Sequence, residues 1–131
     1  GDSDIAAFQK SAELLKIDPH IVKNTTFINC HGKGTIPAFI RVLNHFYKNF
    51  LVVYDKDGDE EFNEIISKTA QERGLGQVKM IENKLEDILG IPEGSKDKPI
   101  LAILQVQDLY EKKQLDIKLG ELIRFIFGAQ K

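Results

Sequence analysis

The chain has no tryptophan, one methionine and one cysteine, Cys30. A single thiol excludes an internal disulfide and a zinc site built from several cysteines, and it fits a reducing compartment. Long apolar runs are lacking too: the FLVVY stretch at 50–54 is far too short to cross a bilayer, and no basic-then-apolar leader opens the sequence. The expectation is a soluble, cytoplasmic protein with no membrane partner. Positive charge is in slight deficit, 18 Lys and Arg against 20 Asp and Glu for a formal charge of -2. No general basic field therefore draws the chain to nucleic acid, and any DNA contact depends on a local patch or a partner. There is no P-loop, internal repeat, low-complexity tract or interdomain linker. With 131 residues, 42% of them hydrophobic, the chain is expected to form one domain over 1–131 with a real core.

Periodicity supplies the elements. Ile5, Phe8, Ala12 and Leu15 predict a helix over 4–16, with Ser3 or Asp4 available as its cap. TFIN at 26–29 reads as a short strand running into the glycine loop HGKGT. A helix follows over 36–47, with Ile36, Phe39, Ile40, Leu43 and Phe46 on one face and Pro37 in its first turn. FLVVY is continuous enough for a strand covered on both faces. Helical period returns over 59–73, and QVKMI at 77–81 is another strand. KLEDILGI forms one helical turn, EGSKDKP an exposed loop, and 99–110 and 116–127 two final helices. This alternation predicts an α/β fold: a mostly parallel sheet with helices on both faces and extra helices at the end. Such sheets bind ligands at the carboxyl ends of their strands, where HGKGT and DKDGD both fall.

The run VVYDKDGDEEF at 52–62 carries the chemistry. As an EF-hand it fails, because the loop's sixth and twelfth positions are Glu60 and Ile66 where glycine and a bidentate glutamate are required. Asp59, Glu60 and Glu61 suit a helix amino terminus. Asp55 and Asp57 differ from them: two carboxylates at i and i+2 beside a parallel strand repel each other unless a cation lies between. A hard divalent ion takes one or two carboxylates and keeps other positions for water and phosphate oxygens.

A strand ending in YDKD, after a glycine loop and before a helix, resembles the DxD motif of TOPRIM domains, found in topoisomerases, primases and some nucleases. More narrowly, GDSDIAAF, NCHGKGTIPAFIRVL, VVYDKD, NKLEDILG and SKDKP resemble, in that order, the TOPRIM domain of the overcoming-lysogenisation-defect (OLD) family nucleases. That family's first strand ends in a glutamate followed by glycine, with a Ser or Thr and an acid shortly after. Gly1, Ser3 and Asp4 match the tail of this motif. The glutamate and its strand would precede residue 1, so weak or no catalysis is expected of this chain alone.

The resemblance implies a DNA endonuclease using Mg²⁺ or Mn²⁺. Asp55 and Asp57 would hold the metals, with Asp4 and Glu86 as second-metal candidates and Asp87 as the alternative to Glu86. Lys98, or failing it Lys96, would meet the phosphate or leaving oxygen. Gly32 and Gly34 would let backbone approach metal or phosphate, and Lys33 would add charge. Implied partners are DNA, a preceding ATPase domain and a second copy of the chain. Two rival readings stay open. One is a receiver-like domain phosphorylated on Asp55, which needs Asp2 and Asp4 as its acidic pair. The other is an inert interaction module whose last helix, with Leu119, Leu122, Ile123, Ile126 and Phe127, packs on a neighbour. Cys30 reads as a small core residue, and neither His31 nor His45 is spaced to join it on a metal.

Overall fold

The computed structural model describes residues 2–56, 58–82, 84–92 and 94–128. Helices α1 (Asp2–Leu14), α2 (Pro19–Lys23) and α3 (Ile36–His45) lead to strand β1 (Phe50–Asp55). Helix α4 (Glu60–Gln71) and strand β2 (Gly76–Ile81) follow, then α5 (Leu85–Leu89), α6 (Lys98–Glu111) and α7 (Glu121–Phe127). The chain divides into two compact units, Gly1–Asn29 with Glu86–Lys131, and Cys30–Leu85. The expected α/β class with a parallel sheet is what forms.

In the first unit α1 packs along α6. Small side chains make this approach possible: Ala7, Ser11 and Ala12 on α1, and Ala102 on α6, are all fully buried. Phe27 bridges two further aromatics, stacking on Phe8 at 6.5 Å and meeting Phe127 edge-on at 5.8 Å. Here the expected strand at 26–29 does not form. Among the described residues nothing pairs with it, and a strand without a ladder leaves its backbone groups unsatisfied. Its side chains turn instead to partners distant in sequence, Phe27 to the aromatic cluster and Asn29 Nδ2 to the Asp2 carboxylate at 2.8 Å. Ser3 and Asp4 also lie inside the first turn of α1, not ahead of it as caps.

The last helix begins as a wide π turn, Asp116–Gly120. Arg124 reaches back across it, donating to the Asp116 carboxylate through Nη1 at 2.6 Å and Nη2 at 3.2 Å. Gly120 permits this, because a Cβ there would collide with the Asp116 carboxylate and lie 2.7 Å from Arg124 Nη1. Leu119, Leu122, Ile123, Ile126 and Phe127 are all buried within the chain. The face that the interaction-module reading offered to a neighbour is thus already covered.

In the second unit β1 and β2 form a parallel pair, in register from Phe50 opposite Gly76 to Asp55 opposite Ile81. Two strands alone are not stable in water and need helices against them. Val52 and Tyr54, on one face of the pleat, pack with Ile36 and Ile40 of α3 and Ile66 and Ala70 of α4. Leu51, from the opposite face, is 39% exposed, so β1 is less covered than its continuous apolar run suggests. The buried row of α3 also departs from expectation: Phe46 is 63% exposed and Asn44 only 3%. The row i, i+4, i+8 through Ile36, Ile40 and Asn44 faces the core, and Phe46 lies just past the helix end. Asn44 Nδ2 donates to the Thr69 carbonyl of α4 at 3.1 Å.

Gly76 lies under the Phe50 ring. A Cβ there would enter that ring and stand 2.9 Å from the Ala70 carbonyl, which is backbone and cannot swing away. Gly76→Ala is therefore expected to cost about 1–3 kcal/mol through overpacking, read as a lowered urea midpoint at unchanged slope.

The hydrogen bonds from Arg124 hold the Asp116 carboxyl below the usual carboxylate range, with the guanidinium charge adding to them. A carboxyl lowered in the folded state stabilises it above the unfolded value and loses that contribution as pH falls through the folded one. Asp116→Asn is expected to melt below the parent protein at neutral pH and to converge with it as pH falls through the lowered folded-state value, measured by thermal unfolding across the acid range.

Candidate functional site

Asp55 is the last residue of β1, and the ladder runs one step past it as Lys56 N–H donates to the Ile81 carbonyl at 2.8 Å. The Lys56 carbonyl then accepts from two side chains, Lys33 Nζ at 2.7 Å and Asn63 Nδ2 at 3.1 Å. Lys33 comes from the glycine loop and also sits over the Tyr54 ring, 5.4 Å from its centre. Asn63 comes from α4 and is 8% exposed; its own N–H donates to the Asp59 carbonyl at 3.0 Å. Lys33 was expected to bring charge to a phosphate. In the structure its ammonium ties the glycine loop to the end of β1.

The glycine loop is held by its own backbone. Gly32 has φ 131°, a conformation that side-chain-bearing residues rarely adopt. Thr35 Oγ1 closes the turn by donating to the carbonyls of Cys30 and, at 2.8 Å, Gly32. Gly34 has ordinary room, since a Cβ there would lie 3.8 Å from the Phe62 ring. Burial pushes the Cys30 thiol upward, which disfavours the thiolate, and the residue packs against the core as expected. Burial likewise raises Tyr54 above the usual phenol value.

The helix-start part of the acidic run is as its spacing implied. Asp59 caps α4, its carboxylate accepting from Phe62 N–H at 3.1 Å, and Glu60 and Glu61 occupy the first turn. Asp57 lies outside the described residues. The Lys56 ammonium pairs with Glu82 at 3.3 Å.

Asp4, Glu86 and Lys98 belong to the first unit. Asp4 is in the first turn of α1, and Asp2 beside it accepts from Asn29. Glu86, in the first turn of α5, pairs with Lys98 at the start of α6, Nζ to Oε1 3.3 Å, with both side chains about two-thirds to three-quarters covered. The structure thus joins two residues that the sequence singled out separately. Asp87 sits beside Glu86 in the same turn, and Lys96 in the loop before α6.

Among the described residues no three His, Cys, Asp or Glu side chains converge as a metal cluster. The candidate donors are carboxylate oxygens, the hard ligands that Mg²⁺ and Mn²⁺ take. Asn63 escaped the sequence reading. Its signal was a polar residue on the buried row of α4 with Ile66 and Ala70, where helical period calls for an apolar one.

Residues 1–57 match the family described as Overcoming lysogenization defect protein-like, TOPRIM domain. The match takes in GDSDIAAF, the glycine loop and helix α3, and β1 with its DKD run, while NKLEDILG and SKDKP lie beyond it. No curated protein and no solved structure gives a match.

Because Asp59 acts as a helix cap, Asp59→Ala is expected to lower stability by about 0.5–2 kcal/mol while leaving divalent-cation binding unchanged. Chemical denaturation and metal titration of the same sample check both halves.

Proposed function

We propose that this chain supplies the metal-dependent DNA-cleaving chemistry of a TOPRIM nuclease, taking as premise the TOPRIM match over residues 1–57. The supporting observation is that the matched region ends where Asp55 leaves a parallel strand, beside the glycine loop that Lys33 fixes there. TOPRIM nucleases act on DNA and TOPRIM domains bind divalent metals.

In this reading Asp55 and Asp57 hold Mg²⁺ or Mn²⁺, and Asp4 and Glu86 carry the further carboxylates. A bound cation supplies Lewis acidity toward water and the leaving oxygen of a phosphodiester. Lys98 has a second function to perform. As long as Glu86 is its partner at 3.3 Å, its charge is balanced locally; drawn toward a phosphate, it acts as a compact point charge with three donors. Gly32, without a side chain, leaves the loop backbone open to close approach by an anion. With a formal charge of -2 the chain has little attraction of its own for DNA. That deficit favours delivery of substrate by a partner, for which an ATPase domain of the parent protein and a second copy of this chain are the proposed candidates. The proposed setting is the cytoplasm.

Binding, not turnover, is the direct test, since the proposal turns on which residues hold the cation. Mn²⁺ titration by calorimetry is expected to give a saturable isotherm for the parent chain and at least tenfold weaker binding for Asp55→Ala. Equal isotherms for the two proteins would remove the basis of the assignment.

A further inference from the structure

The formal charge of -2 conceals an uneven distribution: residues 19–54 contain no aspartate or glutamate, although the chain has 20 acids in all. Within the Cys30–Leu85 unit, that acid-free stretch places Arg41 and His45 one turn apart on α3 and Lys48 just past its end. Arg73 joins them from the connection between α4 and β2. Because α3 ends where β1 begins and Arg73 precedes β2, these cations gather at the amino end of the strands. Asp55 and the acids that start α4 belong to the other end, about 20 Å away along a six-residue strand. Glu72 adjoins Arg73 in sequence, yet among the described residues Arg41, Lys48 and Arg73 pair with no carboxylate.

Aromatic rings stand among these charges. Tyr47 is 68% exposed and Phe46 63%. The Arg73 guanidinium lies over the Tyr47 ring, 4.8 Å from its centre, and His45 meets Phe46 edge-on at 5.0 Å. The backbone is strained to hold Tyr47 there: its φ is 55°, in the left-handed position that closes α3, with Tyr47 N–H on the Asn44 carbonyl at 3.2 Å and Lys48 N–H on the Leu43 carbonyl at 3.0 Å. Glycine is the usual occupant of that position and relieves the strain. A large exposed ring in its place serves neither the backbone nor the core.

We infer that this face, with Arg41, His45, Phe46, Tyr47, Lys48 and Arg73, is a docking surface for single-stranded DNA. The inference deepens the nuclease reading above and rests on it for the choice of DNA. Cations without carboxylate partners neutralise phosphates, and exposed rings offer faces on which unpaired bases stack. Arg73 steadies Tyr47 from one side, and at 68% exposure the ring keeps surface for a base. A protein partner would have to bring an acidic face of its own, whereas a DNA strand carries its phosphates at every step. The surface lies away from the acidic edge, so it holds a strand and takes no part in binding the cation.

The experiment is fluorescence anisotropy with a labelled DNA strand of about 16 nucleotides, in EDTA so that no cation site contributes. The proteins are the parent chain, Tyr47→Gly, Tyr47→Phe, Arg73→Gln and, as an exposed charge of the other unit, Lys118→Gln. Tyr47→Gly suits the left-handed backbone, so loss of the ring is read on a folded protein. The parent is expected to prefer the single strand to a duplex of the same sequence, with log affinity falling against log salt at a slope of about -2 for three cations. Tyr47→Gly is expected to weaken binding about fivefold or more, and Arg73→Gln to make the slope shallower by about 0.7. Tyr47→Phe and Lys118→Gln are expected to bind as the parent does, and every variant to keep the parent's Mn²⁺ isotherm. A parent that binds no single strand, binds duplex equally well, or is matched by Tyr47→Gly overturns the docking surface, and an intact Mn²⁺ isotherm then leaves the nuclease reading standing. Single-strand binding without Mn²⁺ binding in the parent overturns the metal site alone.

Discussion

A parallel pair of six-residue strands has no stability of its own, and covering Val52 and Tyr54 of β1 is the constraint from which the Cys30–Leu85 unit follows. Two amphipathic helices meet the need, α3 entering β1 and α4 leaving it. Helices that alternate with parallel strands run against them, so both helices begin at the strands' carboxyl end. The contacts agree: Lys33, just ahead of α3, reaches the carbonyl just past β1, and Gly34 lies near the Phe62 ring in the first turns of α4. The need to bury two strand side chains thus brings a glycine loop and an acidic loop to one edge.

That edge is also where the electrostatics are concentrated. The first N–H groups of a helix are unpaired and attract negative charge, and at α4 Asp59 answers them with Glu60 and Glu61 behind it. These acids therefore have a structural occupation at the helix start. Elsewhere acids are matched in short range, Glu86 with Lys98, Glu82 with Lys56 and Asp116 with Arg124. Pairs as open to solvent as Glu82–Lys56 and Asp116–Arg124 contribute little to stability. The value of the pairing at Glu86 and Lys98 is to hold two charged groups in known places.

Elements with a strong period were legible from sequence. The continuous apolar run and β-branching of FLVVY gave β1, and apolar spacing gave α3, α4 and α6 to within a residue or two. The 26–29 segment misled because β propensity describes a residue's fit to a pleated surface and says nothing about whether a partner strand arrives. Phe46 misled for a related reason: its spacing places it on the helix face, but the helix stops at His45 and the ring projects into solvent. Cap assignment at α1 failed by the one or two residues that separate a helix start from its first turn. The candidate site residues were chosen by type, acids and glycines whose chemistry is readable without a structure. The contact that Lys33 makes was not readable, because it donates to a backbone carbonyl 23 residues away and no local pattern encodes that partner.

The two buried asparagines carry the remaining logic of this unit. Asn44 of α3 donates to Thr69 near the end of α4, and Asn63 near its start donates to Lys56 beyond β1. In each case Oδ1 finds no partner among the described residues. A buried acceptor left unpaired costs about 1–3 kcal/mol, so leucine at either place would pack without that penalty. An apolar contact, however, tolerates sliding, whereas an amide pointed at one carbonyl has a single register. With one such bond at each end, α4 is fixed along its axis against both α3 and the strand exit. The start of α4 and the Lys56 carbonyl at the strand exit share that precision.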